Sequence, residues 1–293
     1  MKNPPAILGK IAESTIKRVE KAKEALSPEQ IYEKVRILNS KPRSTQSYTE
    51  EDILSAAPNH SVSSVLSVVN KNLPFNKALS APGLSFICEV KKASPSKGVI
   101  SPDFPWMQIA KEYEEGGAAA ISVLTEPEFF LGSDQYLREI SAAVKIPTLR
   151  KDFIIDVYQI YEAKLWGAGA VLLISALLEP LTLSGFISVA DDLELDCLVE
   201  IHNEREADEA ISAGARIIGI NNRDLTTFNV DTGLSSRLRK QIPAGILTVA
   251  ESGINSADGI REIKDTGVDA VLIGESLMRS ADRIKFLKEL ISA

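Results

Sequence analysis

The chain has 293 residues, of which 44% are hydrophobic and 25% are charged, a composition typical of a globular protein that buries one sizeable core. Its formal net charge of −7 argues against nonspecific binding to nucleic acid, because that binding requires a basic face. Any anionic ligand must therefore be bound by a local cluster of positive charge rather than by the overall field of the protein.

Cysteine and histidine are scarce: Cys88 and Cys197 lie in apolar runs, and the two histidines are His60 and His202. These four side chains are too few for a dense zinc site, and both cysteines are predicted to be small buried hydrophobic residues. The longest apolar run, AGAVLLISALL, is too short to cross a bilayer, and the N-terminus lacks the apolar segment of a signal peptide. We therefore expect a cytoplasmic protein with no bound metal and no membrane contact.

Residues 1–80 are predicted to form a helical extension. The stretch AILGKIAESTIKRVEKAKEAL presents one helical face made of Ile7, Ile11, Thr15, Val19, Ala22 and Leu26, with charged side chains opposite. The SPEQ motif predicts a second helix that begins with a capping box of Ser27 and Gln30. The polar stretch NSKPRSTQSYTEED predicts a flexible link, and the role of residues 40–74 is left open. We expect the helices to pack over one end of the domain formed by residues 81–293.

Residues 81–293 alternate short apolar runs with amphipathic stretches. The eight apolar runs are SFICEV, AAISVLT, PTLRKDF, AVLLIS, CLVEI, IIGINN, ILTVAES and AVLIGES. Runs that are apolar on both faces are typical of parallel strands covered by helices, and several intervening stretches end in glycine, as helices do. Eight such units predict a (β/α)₈ TIM barrel. A doubly wound open sheet is the alternative, but its glycine fingerprint is absent after the first run.

Polar side chains cluster where these runs end. Six of the eight runs end in charged or amide groups, and in a TIM barrel these ends converge on one rim that carries the active site. One charge at a strand end is generally solvated, but six that converge predict a mixed cluster, which includes Glu89, Lys91, Lys151, Glu200 and Arg223. Opposed charges both bind an anionic substrate and tune the pKa values needed for acid–base chemistry.

The last two runs continue into AESGI and IGESLM, which place small residues and free backbone N–H groups where a helix begins. Such positions bind phosphate in many barrels. Two phenylalanines, Phe130 and Phe153, follow strand ends and line either an apolar ring pocket or an ordinary helix–barrel contact. His202 is assigned to structure or to the rim, since the scarcity of histidine shifts acid–base chemistry toward Lys and Glu.

The motifs EVKKASPSKG, AAISVLTEPEFFLGS, LRKDFI, GAGAVLLI, LVEIHNE, IGINNRDL, VAESGI and LIGESLMR together resemble the indole-3-glycerol phosphate synthase family. The resemblance covers all eight predicted units, roughly residues 75–288, and the first helix is similar to that of the family as well. It implies the substrate 1-(2-carboxyphenylamino)-1-deoxyribulose 5-phosphate, whose pyrrole ring is closed with loss of carbon dioxide and water in tryptophan biosynthesis. It implies no metal and no organic cofactor.

The resemblance also implies roles for individual residues. Lys151 is expected to protonate the substrate ketone as general acid, and Glu200 to remove a proton as base. Glu89 and Asn221 are expected to orient these groups or to steady the amine. Lys91 is expected to contact the substrate carboxylate and is also a candidate for the acid of the later dehydration. The implied substrate-binding residues are Ser94, Phe130, Phe153, Leu172, Arg223, Ser252, Gly253, Leu272, Gly274 and Glu275.

Several of these expectations are specific. Ser94, Ser252, Gly253, Gly274 and Glu275 are assigned to the phosphate. Because a carboxylate cannot donate a hydrogen bond to phosphate, only the backbone N–H of the last of these is expected to be useful. Phe130, Phe153 and Leu172 are assigned to the ring, and Arg223 to the substrate carboxylate. Glu200 is expected to be ionised because Lys151 and Lys91 should lie beside it.

Two alternative functions are kept. One is another phosphosugar-binding barrel enzyme, such as phosphoribosylanthranilate isomerase, which shares the phosphate end but gives no reason for EVKKASPS. The other is a non-catalytic barrel that serves as a partner subunit, against which the presence of Lys151 and Glu200 speaks. The expected ligand in either enzyme reading is a small anionic phosphosugar, and the expected assembly is a monomer or weak oligomer.

Overall fold

The computed structural model describes residue 2 and residues 6–39, 73–224 and 226–293. Most of the predicted flexible link, and nearly all of the stretch whose role was left open, fall in residues 40–72 and lie outside the described residues.

Eight parallel strands form a closed barrel, which confirms the predicted (β/α)₈ fold. Ser85 at the start of the first strand pairs with Ala270 of the last, while Ile87 of the first strand pairs with Ala120 of the next. The barrel strands are β1 (Ser85–Val90), β4 (Ala120–Leu124), β5 (Thr148–Lys151), β6 (Ala170–Ile174), β7 (Asp196–Ile201), β8 (Ile217–Asn221), β9 (Leu247–Glu251) and β10 (Ala270–Ile273). A short antiparallel hairpin of β2 (Ala93–Ser94) and β3 (Gly98–Val99) follows β1.

Helices cover the outside of the barrel, and several begin at a side-chain cap. Ser133, Asp156, Asn203, Ser256 and Asp282 each accept a hydrogen bond from a backbone N–H of the first helical turn. The helices after β3 are α4 (Trp106–Gly116), α5 (Asp134–Ala143), α6 (Val157–Leu165), α7 (Pro180–Asp192), α8 (Glu204–Ser212), α9 (Gly233–Arg239), α10 (Ala257–Lys264), α11 (Glu275–Arg279) and α12 (Arg283–Ser292).

The core is continuous from the barrel interior to the helix–sheet layer, because nearly every residue of the eight barrel strands is buried. Cys88 and Cys197 lie within this core, as predicted, and both thiols are free. Burial raises the pKa of each thiol, so that neither supplies a thiolate at neutral pH.

Helix α1 (Ala6–Ala25) lies at the end of the barrel where the strands finish, whereas α2 (Pro28–Asn39) packs against α6, with the rings of Tyr32 and Tyr161 4.3 Å apart between centroids. The guanidinium of Arg18 donates to both carboxylate oxygens of Asp152, at 2.6 and 2.9 Å, immediately after β5. The predicted capping box is present: Ser27 N–H donates to Gln30 Oε1 at 2.9 Å, and Gln30 N–H donates to Ser27 Oγ at 3.4 Å.

Helix α3 (Pro74–Leu79) lies at the opposite end of the barrel. The backbone N–H of Asn76 donates to Asp196 Oδ2 at 2.8 Å, and Asp196 is the first residue of β7. Of the described helices that precede the barrel, α1 therefore packs at the end where the strands finish and α3 at the end where they begin.

Candidate active site

A cavity of about 750 Å³ opens where the barrel strands end, and every barrel strand contributes to its wall. All fifteen residues predicted for the site line it: Glu89, Lys91, Ser94, Phe130, Lys151, Phe153, Leu172, Glu200, Asn221, Arg223, Ser252, Gly253, Leu272, Gly274 and Glu275. Successive side chains of a strand point to opposite faces, so that alternate residues of each strand face the barrel interior. Ile7, Leu8 and Ile11 of α1 complete the cavity with an apolar wall.

Lys151 lies between two carboxylates at the floor of the cavity. Its Nζ donates to Glu251 Oε2 at 2.6 Å and to Glu200 Oε2 at 3.1 Å. Burial alone would lower the pKa of Lys151, but the charges of Glu251, Glu200 and the nearby Glu89 outweigh it and raise the pKa above its ordinary value. Lys151 is therefore a fixed ammonium group at neutral pH.

The two carboxylates that share Lys151 titrate in opposite directions. Burial opposes the ionisation of Glu200, but Lys151 and His202 outweigh it and hold the pKa of Glu200 below its ordinary value. Burial, together with the neighbouring charge of Glu200, raises the pKa of Glu251 to about 7 despite its bond to Lys151. Glu200 is therefore ionised at neutral pH, while burial favours the protonated form of Glu251.

Sequence reasoning placed Glu251 at a strand end but gave it no role. Its Oε1 is buried without a hydrogen-bond partner and rests against Gly219 of the neighbouring strand. A methyl group at Gly219 would overlap that oxygen, so that the missing side chain makes room for the carboxylate. A glycine inside a strand signals the close approach of another group, and this signal was available in IIGINN.

Lys91 forms an ion pair with Glu89, two residues earlier on the same strand end. Gly274 lies opposite, and a Cβ at this position would overlap Glu89 Oε2 and lie 3.1 Å from Lys91 Nζ. Lys91 was expected to lie beside Glu200, but among the described residues the cation that accompanies Lys151 at Glu200 is His202. Its Nε2 lies 3.4 Å from Glu200 Oε1. The sequence assigned His202 to structure or the rim, whereas it contacts the proposed base.

At one end of the cavity the backbone turns sharply after β9. Ser252 has φ +66° and Gly253 has φ +84°. A Cβ at Gly253 would lie 2.5 Å from Val230 Cγ1, so that only glycine fits between the two loops. Asn222 donates to the carbonyl of Ser252 at 3.1 Å, and Ser252 Oγ donates to Asn221 Oδ1 at 2.8 Å.

The neighbouring strand end leads from Gly274 into α11, where the first backbone N–H groups have no partner within the helix. Ser276 lines the cavity there, and its Oγ is buried without a hydrogen-bond partner. The Glu275 side chain accepts a hydrogen bond from Arg279 at 3.1 Å and lies 4.0 Å from Lys97. Its carboxylate is therefore engaged with cations, and its backbone N–H is the part available to an anion.

The opposite wall of the cavity is apolar. The rings of Phe130 and Phe153 lie 5.9 Å apart between centroids, and Leu172 and residues of α1 flank them. Both phenylalanines therefore face the cavity, as expected for an apolar ring pocket, and both also pack against the core. Arg223 also faces it, and its Nη1 donates to the carbonyl of Phe228 at 3.1 Å.

Within residues 2, 6–39, 73–224 and 226–293, no three His, Cys, Asp or Glu side chains are grouped so as to hold a metal ion. No helix in the same ranges is both long and apolar enough to span a membrane.

Comparison with known proteins adds relatives across most of the chain. The sequence model of the family described as indole-3-glycerol phosphate synthase matches residues 36–290. The indole-3-glycerol phosphate synthase of Ruminiclostridium cellulolyticum is 59% identical over 216 residues, which cover 73% of this chain and 83% of that protein. The protein of the same name from Lachnoclostridium phytofermentans is 47% identical over 286 residues, which cover 98% of this chain and 99% of its own length.

Solved structures support the fold alone. A 3-hexulose-6-phosphate synthase superposes with a TM-score of 0.58 at 15% identity, covering 71% of this chain and 99% of that one. A thiamine phosphate pyrophosphorylase from Pyrococcus furiosus gives a TM-score of 0.55 at 20% identity, covering 71% and 93% of the two chains.

Proposed function

The chain belongs to the indole-3-glycerol phosphate synthase family, and from that premise we propose which of its residues close the ring. It is a decarboxylating, ring-closing lyase of tryptophan biosynthesis that acts on a phosphosugar-type substrate. The observation that carries the proposal is the position of Lys151 between Glu200 and Glu251, since the two carboxylates have opposite pKa shifts in one cavity.

We propose that the substrate is 1-(2-carboxyphenylamino)-1-deoxyribulose 5-phosphate, because the cavity offers a partner for each of its groups. The backbone N–H groups that follow Ser252 and Gly274 suit the phosphate, supported by Ser94 at the mouth. The Phe130 and Phe153 rings suit the aryl group. Arg223 and Lys91 supply positive charge for the substrate carboxylate, and Leu172 and Leu272 add apolar surface to the cavity wall.

The first step joins the ring carbon that bears the carboxylate to the ketone carbon of the sugar chain. In our proposal the Lys151 ammonium gives its proton to the ketone oxygen as that bond forms, so that the oxygen becomes a hydroxyl. The carboxylate then leaves as carbon dioxide, and the electrons of the broken bond restore the aromatic ring. Glu89 and Asn221 orient the groups around this centre, with Glu89 holding Lys91 in place.

The second step removes water from the ring just closed. We propose that Glu200 takes the proton from the carbon next to nitrogen while the new hydroxyl leaves with a proton from an acid. Lys91 is one candidate for that acid. Glu251 is well placed to return a proton to Lys151, because it lies 2.6 Å from the ammonium and burial raises its pKa above the ordinary value.

We further infer how the chain is organised and where it works. Residues 1–80 are an extension whose first helix completes the cavity, and residues 81–293 are the catalytic barrel, since α1–α3 share their core with the barrel. The net charge of −7 supports the absence of nucleic-acid binding, and the sequence supports a cytoplasmic monomer or weak oligomer.

One assay tests this function. The purified chain is mixed with the open-chain substrate, and the fluorescence of the indole product is followed together with release of carbon dioxide. We expect both signals to rise together and both to be lost in Lys151→Ala. Absence of both signals from a folded wild-type chain would favour the non-catalytic barrel. Isomerisation of phosphoribosylanthranilate without carbon dioxide would favour the isomerase.

A further inference from the structure

His202 lies just beyond β7 and is clamped on one side by the first turn of α8. Its backbone N–H donates to Glu206 Oε2 at 2.8 Å, and its ring Nδ1 lies 3.1 Å from the same oxygen. Glu206 is itself held by Asn203, whose side-chain amide donates to Glu206 Oε1 at 2.8 Å and whose Oδ1 accepts from the backbone N–H of Glu206 at 3.0 Å. The imidazole ring thus has one anchored edge.

The other edge of the ring faces the catalytic centre. Nε2 lies 3.4 Å from Glu200 Oε1, a close charge contact rather than a well-aligned hydrogen bond. The second oxygen of Glu200 is the one bound to Lys151 at 3.1 Å. Side chains of Glu200, His202 and Glu206 are only 5%, 12% and 6% exposed, so that solvent screens these charges weakly.

His202 is a cation at neutral pH. Burial alone would lower its pKa, but the hydrogen bonds and charges of Glu200 and Glu206 outweigh burial and raise the pKa to about 10. The carboxylates that contact the ring come from two elements, Glu200 on β7 and Glu206 on α8, and the charge of His202 also contributes to lowering the pKa of the exposed Asp224 in the loop after β8. With both nitrogens protonated, the ring presents one N–H to each of its two carboxylate neighbours.

The charge of His202 matters most after Lys151 has given away its proton. In the unliganded site both cations stabilise the ionised form of Glu200, but the first chemical step neutralises Lys151. Glu200 would then lose the positive charge of Lys151 while keeping Glu251 as a like-charged neighbour, and without a further cation its pKa would rise. A second cation that does not take part in proton transfer prevents this.

We propose that His202 is a positioning residue for the catalytic base: anchored by Glu206, it fixes one oxygen of Glu200 and keeps that carboxylate ionised when Lys151 loses its charge. This inference rests on the proposed role of Glu200 and goes beyond it. His202 does not contact the cavity. It acts through Glu200, and its effect is a shift of the pH at which the base becomes active.

The test is the pH profile of kcat, which reports groups of the enzyme–substrate complex, for wild type and His202→Gln. Glutamine keeps a hydrogen-bonding amide but has no charge. We expect the acidic limb to move upward by about one pH unit or more, because an opposite charge within about 4–6 Å lowers a carboxyl pKa by 1–3 units. Relative to wild type, His202→Gln should therefore lose more than about tenfold more activity at the acidic end of the profile than at the pH optimum. The substrate phosphate titrates in the same way in every variant. The quantity to compare is therefore the difference between variants in the pH position of the acidic limb.

Two matched variants separate charge from shape. His202→Lys restores a cation and should return the limb toward its wild-type position. Glu206→Gln removes the anchor and should move the limb in the same direction as His202→Gln, by a smaller amount. The proposal is overturned if the acidic limb lies at the same pH in His202→Gln and wild type. It is also overturned if the limb is displaced by the same amount in His202→Lys and His202→Gln. Thermal midpoints are measured alongside. Should His202→Gln fail to fold, an unshifted limb in Glu206→Gln overturns the proposal equally.

Glu200→Gln keeps this test distinct from that of the proposed function. If Glu200→Gln turns over at nearly the wild-type rate, Glu200 is not the base, and the assignment of its role fails. If Glu200→Gln is inactive while the limb of His202→Gln is unshifted, the base assignment stands and only the role of His202 fails.

Discussion

Lys151 donates to Glu251 at 2.6 Å, a shorter bond than the 3.1 Å bond by which it binds Glu200. Glu251, which makes the shorter bond, is nevertheless the carboxylate whose pKa is raised, because the cost of burial dominates there. Glu200 has a second cation, His202, which helps to lower its pKa. Pairs of titratable groups whose environments separate their pKa values mark acid and base assignments. This contrast supports the proposal that Glu200 is the base and that Glu251 returns a proton to Lys151.

Replacement of Lys151 by alanine should abolish most turnover while leaving substrate affinity comparatively intact. General acid catalysis contributes roughly 10²–10⁴ in rate, and we expect kcat to fall by that factor with KM changed only a few-fold. Steady-state kinetics on Lys151→Ala measure this, with Lys92→Ala as control because Lys92 does not line the cavity. A kcat within a few-fold of wild type would make Lys91 the better candidate for the first proton transfer.

Replacement of Glu200 by glutamine should lower kcat by at least about 10², because an amide cannot accept the proton. The fold should persist, since Lys151 keeps its bond to Glu251 and His202 keeps its bond to Glu206. Measurement of kcat, KM and the thermal midpoint on this variant distinguishes base from counter-ion. Preserved kcat with a raised KM or a lowered midpoint would show that Glu200 only neutralises its neighbours.

A methyl group at Gly219 should displace the Glu251 carboxylate from Lys151, because the new Cβ would overlap Glu251 Oε1. Misplacement of a catalytic group by about 1 Å costs up to about 10² in rate, and we expect a kcat loss of that order in Gly219→Ala. Gly245→Ala is the matched control, since nothing lies within 4 Å of a Cβ there.

A double-mutant cycle identifies the cause of that loss. In a Glu251→Ala background the displaced carboxylate no longer exists, so Gly219→Ala should have little further effect on kcat. Equal losses from Gly219→Ala in both backgrounds would mean that the methyl group acts on some other contact.

The Arg18–Asp152 pair fastens α1 to the end of β5 and should make stability depend on pH. Burial would raise the pKa of Asp152, but Arg18 and Arg150 outweigh it and lower the pKa. With a depressed folded-state pKa, the contribution of Asp152 is complete above the unfolded value of about 3.9 and is lost as the pH falls below that value. Arg18→Met should therefore lower the free energy of unfolding at pH 7 by about 1–3 kcal/mol.

Urea unfolding of wild type and Arg18→Met at several pH values checks this linkage. The difference between the two proteins should be constant from pH 7 to about pH 4 and should narrow at lower pH. Arg36→Met is the control, because Arg36 pairs with Glu33 on the exposed face of α2, and we expect no measurable change. A difference that is the same at pH 3 and pH 7 would contradict the role of Asp152.

Removal of divalent metal should leave turnover unchanged. The proposed acid and base are side chains of Lys and Glu, and the described residues contain no grouped set of metal ligands. Progress curves with and without a strong chelator test the point. Loss of turnover in chelator that a divalent ion restores would overturn the metal-free mechanism.

The barrel fold and the residues of its site could both be predicted from the sequence. The fold follows from the spacing of the apolar runs, and the site follows from the positions where those runs end. Eight apolar runs set the strands, and the convergence of their ends brought all fifteen predicted residues to one cavity. Sequence alone does not say which of two adjacent charges faces inward: Lys151 lines the cavity, whereas Arg150 is wholly buried and donates to the carbonyl of Gln159 at 2.6 Å.

Pairings between strands were harder to foresee, because they depend on register. Nothing in AESGI indicates that Glu251 approaches Gly219, and nothing in VEIH indicates that His202 turns its ring back toward Glu200. The placement of α3 at the opposite end of the barrel from α1 could not be predicted either. Residues 40–72 intervene, and the pattern of an amphipathic helix does not specify which part of a barrel it covers.

The pairing of β1 with β10 has a consequence for synthesis on the ribosome. Ser85 lies opposite Ala270, so that one edge of β1 has no partner until nearly 200 further residues have been translated. At typical elongation rates of about 5–20 residues per second, that interval lasts roughly 10–40 s. For this time the nascent chain presents the unpaired edge of a mostly apolar strand, the kind of surface that invites aggregation. The finished barrel has no open edge, and the period of greatest risk for this protein is therefore its own translation.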